Sequence, residues 1–282
     1  MNNWKFANVT ALLFIPALVF AANNEVTIKT DSTYRYIESN GIPDHTTGRF
    51  PNSGNPNAIS EQNHSYRVPL NPVKTNKKTN VRISGVAING VPMEPGTAEF
   101  WNRDRSSGWN IQAFAKGVNL GIDSNNAHVQ PTGTYHYHGV PTGLINQSNN
   151  TLVGWAADGF EIHYIGNKAK SSYQLKSGNR PSGPGGRYDG TYDQDWEFIS
   201  GHGTLDECNG GELDGSYAYF ITDTYPFIQR CVFGTPDVSF NQRGGGPPGD
   251  GGPGGEGMRG GDHRKGPPPR HGDRDRPPPP RY

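Results

Sequence analysis

Apolar and polar residues alternate along this chain in short runs separated by turn-forming residues. Residues 81–88 read VRISGVAI, and Asn89-Gly90 follows before Val91 reopens the apolar pattern. Asn-Gly tolerates positive φ, so this stretch predicts a hairpin closed by a two-residue turn. Residues 109–115, 134–138, 152–156, 160–165 and 217–222 carry the same short period, with Asp158-Gly159 as the turn between the third and fourth of these runs. Alternate side chains of a strand point to opposite faces. Many short strands at such spacing predict an all-β or mostly β domain, an antiparallel sandwich or barrel-like set of sheets with long irregular loops. Residues 36–72 are rich in Pro, Gly and Asn with little periodicity, which predicts an irregular wrap over the domain surface.

The two ends break this pattern in different ways. Lys5 precedes an apolar run over residues 9–20, and the small residues Ala21 and Ala22 follow. That arrangement predicts a signal peptide over residues 1–21, cleaved after Ala21, and so a periplasmic or extracellular location. Pro16 interrupts the run, which is short for a bilayer crossing, and no other apolar stretch is longer, so no transmembrane span is expected. Residues 241–282 hold almost no large apolar side chains among their Gly, Pro and charged residues. Such a segment buries too little to offset the entropy of ordering it, and it predicts a disordered tail. Weak adhesion to an anionic cell-envelope polymer is the functional reading of its slightly basic charge; His263 and His271 within it are set aside as site residues. The folded domain is expected over residues 25–240.

Composition adds two constraints. Net charge is zero, which argues against a general electrostatic grip on nucleic acid or acidic lipid. The chain has two cysteines, Cys208 and Cys231, which can pair as a disulfide in an oxidising compartment. The alternative, a pair of metal-binding thiolates, lacks both a CxxC spacing and a histidine at finger-like distance.

The richest local chemistry is the string HVQPTGTYHYHG over residues 128–139. In a strand, Tyr135 and Tyr137 share one face while His136 and His138 share the other, about 7 Å apart at Cβ as for any i, i+2 pair. Two imidazoles at that separation can converge on one ion through metal–nitrogen bonds of about 2 Å. Imidazole suits copper and zinc alike, and copper binds more strongly where supply allows. His128 is the next candidate ligand. In FEIHY at residues 160–164, Glu161 and His163 alternate with apolar neighbours, so they would join the cluster if the two strands were sheet neighbours with polar faces aligned. Carboxylates at Asp189, Asp193, Asp195, Asp206 and Glu207 raise the question of calcium, but their spacing departs from an EF-hand loop and Asp-Gly pairs serve turns. The motifs of ordinary hydrolases and nucleotide enzymes are absent.

Together, AHVQPTGTYHYHGVP, GWAADGF and LDECNGG followed by DGSYAYFITDTYPFIQRC resemble the YHYH domain, a group of exported bacterial proteins named after that tetrapeptide. The resemblance runs from the SNGIPDH string at residue 39 to about residue 236. It implies an exported β-rich domain, places His128 and Tyr135 to His138 on the matching motif, and implies that Cys208 and Cys231 belong to the shared core. One departure is the EIHY following Asp158-Gly159-Phe160, where the family tends to have a Pro and then Ile-Tyr-Gly, so His163 is a secondary candidate. GTYHYH also resembles the first copper-binding motif of multicopper oxidases, but the chain has no His-Cys-His string and so no type 1 centre.

Three function classes follow. The leading expectation is transition-metal binding through His136, His138 and His128, with a metal ion or a small ligand as the partner. A carbohydrate or cell-surface module would use Trp101, Trp109, Trp155 and Trp196 as stacking faces. An enzyme would use His136 or His138 as a base beside Glu161 or Asp158.

Overall fold

In the computed structural model of the chain, residues 22–241 are described, apart from residue 149. The expected signal peptide and all but the first residue of the expected tail, with His263 and His271, lie outside the described residues. The described part is mostly β. Strands β1 (Val26–Thr30), β2 (Tyr34–Ser39) and β3 (His64–Pro69) form an antiparallel three-stranded sheet. After the short β4 (Thr79–Asn80), the chain forms β5 (Gly85–Ala87), β6 (Pro92–Met93), β7 (Ala127–Val129) and β8 (Tyr135–Tyr137). A short helix α1 (Thr142–Gln147) leads into β9 (Leu152–Ala156) and β10 (Glu161–His163). Strands β11 (Tyr173–Leu175) and β12 (Trp196–Phe198) pair with each other, and β13 (Gly210–Leu213), β14 (Ser216–Phe220) and β15 (Cys231–Val232) are the last strands among the described residues.

The central sheet has eight strands in the order β13-β14-β10-β9-β5-β6-β8-β7. It is mixed and does not close into a barrel: β6 runs parallel to β8 and β10 runs parallel to β14, while its other pairs are antiparallel. Each parallel pair is separated by a long excursion of chain, which a parallel crossover requires. The main core contains Val91, Met93, Val153, Ile162, Tyr219 and Ile228, all fully buried. A second cluster centred on Ile37, Tyr66, Val68 and Val86 packs with the three-stranded sheet.

Several expected elements need adjustment. The hairpin over 81–91 is present, but pairing covers Gly85 with Met93 and Val86 with Pro92. Gly90 alone of the Asn-Gly pair takes positive φ (79°), so the turn has three residues ending in a left-handed glycine. Residues 109–115 form no strand; Asn110 and Ile111 make isolated bridges to Phe100 and Tyr192, because the ladder there is not continued by a neighbour. The stretch expected to be an irregular wrap contains most of β2 and all of β3, and only residues 40–63 between them lack a named strand. The wrap reading failed because β3, HSYRVP, alternates buried and less buried positions beside an otherwise aperiodic segment.

Cys208 and Cys231 form a disulfide that ties the chain ahead of β13 to β15 across 23 residues. A loop of that length constrains the unfolded chain by about 3 kcal/mol in the chain-entropy model. Replacing both cysteines by serine is expected to lower the free energy of unfolding by about that amount, read as a lower urea midpoint, with a steeper slope because the unfolded chain is no longer cross-linked.

Candidate metal centre

The site is built by the β7–β8 hairpin. Gln130 N–H donates to the Thr134 carbonyl and Gly133 N–H to the Gln130 carbonyl, which closes the loop between the strands. Gly133 sits at φ 87°, and a Cβ there would lie 1.9 Å from Ser60 Oγ, so this turn needs glycine on both counts. The resulting register sets His128 opposite His136, Ala127 opposite Tyr137 and Val129 opposite Tyr135. Directly opposed residues share a face, and His138 lies two residues beyond His136 on that same face. Three imidazoles therefore meet: each pair of ring centroids is 4.7 Å apart, with interplanar angles of 64°, 84° and 68°.

The opposite face of β8 explains why this register holds. Tyr135 and Tyr137 are fully buried. The Tyr135 hydroxyl donates to Asp123 at 2.8 Å, while the Tyr137 hydroxyl lies 3.0 Å from Asn89 Nδ2 and 2.6 Å from His45 Nε2. A one-residue slip would exchange these tyrosines for the histidines and strand their partners.

The histidine face is also buried, with His136 3% and His138 2% exposed. Burial pulls the pKa of His136 and His128 down to about 4, with the Arg82 charge acting in the same direction on His136 and the His136 ring on His128. His138 is held well below the ordinary histidine value by burial first, then by its two histidine neighbours and Arg230. All three rings are neutral near pH 7 and carry the lone pairs that a metal requires.

Hydrogen bonds orient these lone pairs. His128 Nδ1 lies 2.9 Å from the Leu120 carbonyl and His136 Nδ1 lies 3.3 Å from the Thr134 carbonyl, so both Nδ1 atoms carry the proton and both Nε2 atoms are free to ligate. His138 Nε2 is 3.1 Å from His128 Nε2, close to the separation of about 3.3 Å between nitrogens on a tetrahedral ion. Without a metal, His138 must donate its proton from Nε2 to His128, which leaves the buried Nδ1 without a hydrogen-bond partner. A backbone contact to Glu94 opposes part of the fall in the His138 pKa. One ligand atom from each of the three rings lies within 4.8 Å of the others, and the trio can hold a metal ion. The donor set is neutral nitrogen, which suits copper and zinc rather than calcium.

The trio opens on a cleft of about 970 Å³. Glu94, which follows β6, faces this cleft with Oε1 accepting from Gln130 Nε2 at 2.7 Å and Oε2 paired to Arg82 Nη1 at 3.0 Å. Burial raises the pKa of Glu94, while Arg82 opposes that rise. On another wall, Arg230 donates to Asp193 at 2.8 Å and to the Pro95 carbonyl at 2.8 Å. Sequence reasoning missed Glu94, Gln130, Arg82 and Arg230, and apart from Gln130 they come from segments remote from the histidine string. The place of His128 was recoverable: a turn centred on Thr132 sets residue 128 opposite residue 136.

Two expected ligands do not reach this centre. In the sheet, β9, β5 and β6 stand between β10 and β8, so His163 and Glu161 form a separate group. His163 Nε2 is 2.9 Å from Glu161 Oε2, and its Nδ1 is 3.0 Å from Thr151 Oγ1. Asp158 is likewise elsewhere, accepting from the Tyr219 hydroxyl and from Gly234 N–H at 2.8 Å each. The acidic residues considered for calcium are engaged as anchors: Asp195 and Asp189 on Arg180, Asp193 on Arg230, and Asp206 on the N–H groups of Cys208 and Gly210. Of the tryptophans considered as stacking faces, Trp109 and Trp155 are buried, and Trp196 lines the cleft with one face stacked on Tyr225 at 4.9 Å. Among the described residues, no helix is long and apolar enough to cross a membrane.

Comparison with known proteins adds the family. The model described as YHYH protein matches residues 65–234, more than half of the chain. No curated protein and no solved structure matches.

Proposed function

This chain belongs to the YHYH protein family, and we propose that the three histidines gathered on its β7–β8 hairpin bind one transition metal ion, copper or zinc. The observation that carries this reading is the convergence of His128, His136 and His138 at equal ring separations at the edge of a solvent-connected cleft. Three protein nitrogens with one side open is the pattern of a metal that keeps a position for water or substrate. Copper is the stronger binder of the two by the general affinity order. The Cys208–Cys231 disulfide supports export to an oxidising compartment, where the ion would be acquired.

Elemental analysis of the exported protein, purified without a metal-binding tag and dialysed, tests the reading. Wild type is expected to retain about one copper or zinc per chain, on the tetrahedral-site logic of three imidazoles. The His136→Ala/His138→Ala variant, shown to be folded by circular dichroism, is expected to retain none. Absence of metal from wild type after reconstitution would sink the proposal, as would equal loading of the variant.

A further inference from the structure

We infer that the cleft in front of the three histidines takes a small carboxylate-bearing anion, which binds as an exchangeable ligand of the metal. This inference rests on the metal-binding reading and adds the class of ligand.

Charge accounting carries it. A divalent ion held by three neutral imidazoles keeps its full double positive charge, since no ligand of the trio is an anion. Two of the three carboxylates lining the cleft, Glu94 and Asp193, are committed elsewhere. Both oxygens of Glu94 are engaged, one by Gln130 and one by Arg82. Asp193 is engaged by Arg230 through both oxygens, at 2.7 and 2.8 Å. Lys78 pairs with Glu207 at 2.5 Å, and the two charges that remain on the cleft, Arg105 and Glu99, are of opposite sign. The walls are therefore balanced in sign without a metal, and an ion makes the cleft doubly positive.

That charge would sit beside His136 and His138, which are 2–3% exposed, where water screens poorly. An uncompensated charge in such surroundings is costly, and an anion from solution relieves it. Hydroxide can do so, but the cleft of about 970 Å³ is far larger than a hydroxide needs and lies in the range of small-molecule sites. Arg82 and Arg230 line the same cleft, each already paired with a carboxylate, so the ion itself supplies the net positive charge that favours a carboxylate over a neutral molecule. Binding requires only ligand exchange: the carboxylate oxygen replaces the metal's water, with no change of oxidation state.

Succinate and glucose serve as probes of the copper(II)-loaded protein, with metal content measured first. Succinate is expected to shift the visible and electron paramagnetic resonance spectra saturably at millimolar concentration, and glucose to leave them unchanged. Glu94→Gln removes one negative charge beside the trio while preserving shape, and is expected to tighten succinate binding about tenfold at low salt. Full metal loading with spectra unmoved by succinate, or moved as far by glucose, would overturn this inference and leave the metal-binding reading standing. Unchanged or weakened succinate affinity in a copper-loaded Glu94→Gln protein would overturn it as well. A wild type that holds no metal removes both.

Discussion

Replacing Asp195 by alanine is expected to lower the free energy of unfolding by about 3–5 kcal/mol, the range for breaking a buried ion pair from one side. Asp195 is fully buried and holds the Arg180 guanidinium through both oxygens, at 2.8 Å from Nε and 2.6 Å from Nη2. Its Oδ2 also accepts from the N–H groups of Gly190 and Tyr192, at 3.0 and 3.3 Å. Alanine removes every one of these acceptors while the Arg180 side chain stays only 6% exposed. Asp189 keeps one contact to the same guanidinium, which places the effect toward the lower end of that range. Asp189→Ala, at a carboxylate 60% exposed, is expected to cost less than about 1 kcal/mol. Urea melts of the two variants check the contrast, and equal midpoints would mean that the Arg180–Asp195 pair does not organise the chain over residues 180–195. Metal content should survive in Asp195→Ala, because the ligands come from a separate hairpin.

The second large effect is acid lability. Burial depresses the pKa of His64, His128 and His136 to about 4 and that of His138 well below the usual value. Unfolded histidines titrate near 6.5, so between that pH and about 4 the unfolded chain binds protons that the folded chain refuses. Stability is thus fully present above about pH 6.5 and falls as the medium is acidified, by up to about 1.4 kcal/mol per pH unit for each histidine. The raised carboxyls of Glu94, Asp158 and Asp193 take up protons in the folded state first and offset part of this loss at the acid end.

His64 isolates the effect from the metal centre. Its Nε2 is buried without a partner, and its ring packs at 5.6 Å from Tyr66. In chelator-treated protein, His64→Phe is expected to flatten the dependence of unfolding free energy on pH by about one proton between pH 6 and 4.5, roughly 1.4 kcal/mol per unit. Parallel pH profiles for wild type and variant would show that this ring titrates normally in the fold.

How much of this was legible in the chain depends on the range of the interactions involved. Strand β9 lies where the apolar run at 152–156 predicts it, and β8 falls inside the run at 134–138. The division of YHYH into a tyrosine face and a histidine face follows from the two-residue period of any strand. The turn at Gly90 was readable from its Asn-Gly dipeptide, since positive φ has few takers among residue types. The run at 109–115 misled because its apolar residues pack individually without a paired neighbour, and β3 was overlooked because its partners are supplied by β2, more than twenty residues earlier.

The sequence by itself determined the β class, the disulfide partners and the pair His136 and His138 on one strand face, because each depends on local period or on a count of two. Tertiary structure alone decided which other groups meet them. Sheet order separates His163 and Glu161 from the trio by three strands, and strand order is set by packing between segments distant in the chain. The cleft walls, with Glu94 held by Arg82 and Arg230 by Asp193, likewise join residues 12 and 37 positions apart. No local period encodes those meetings; packing between segments distant in the chain does.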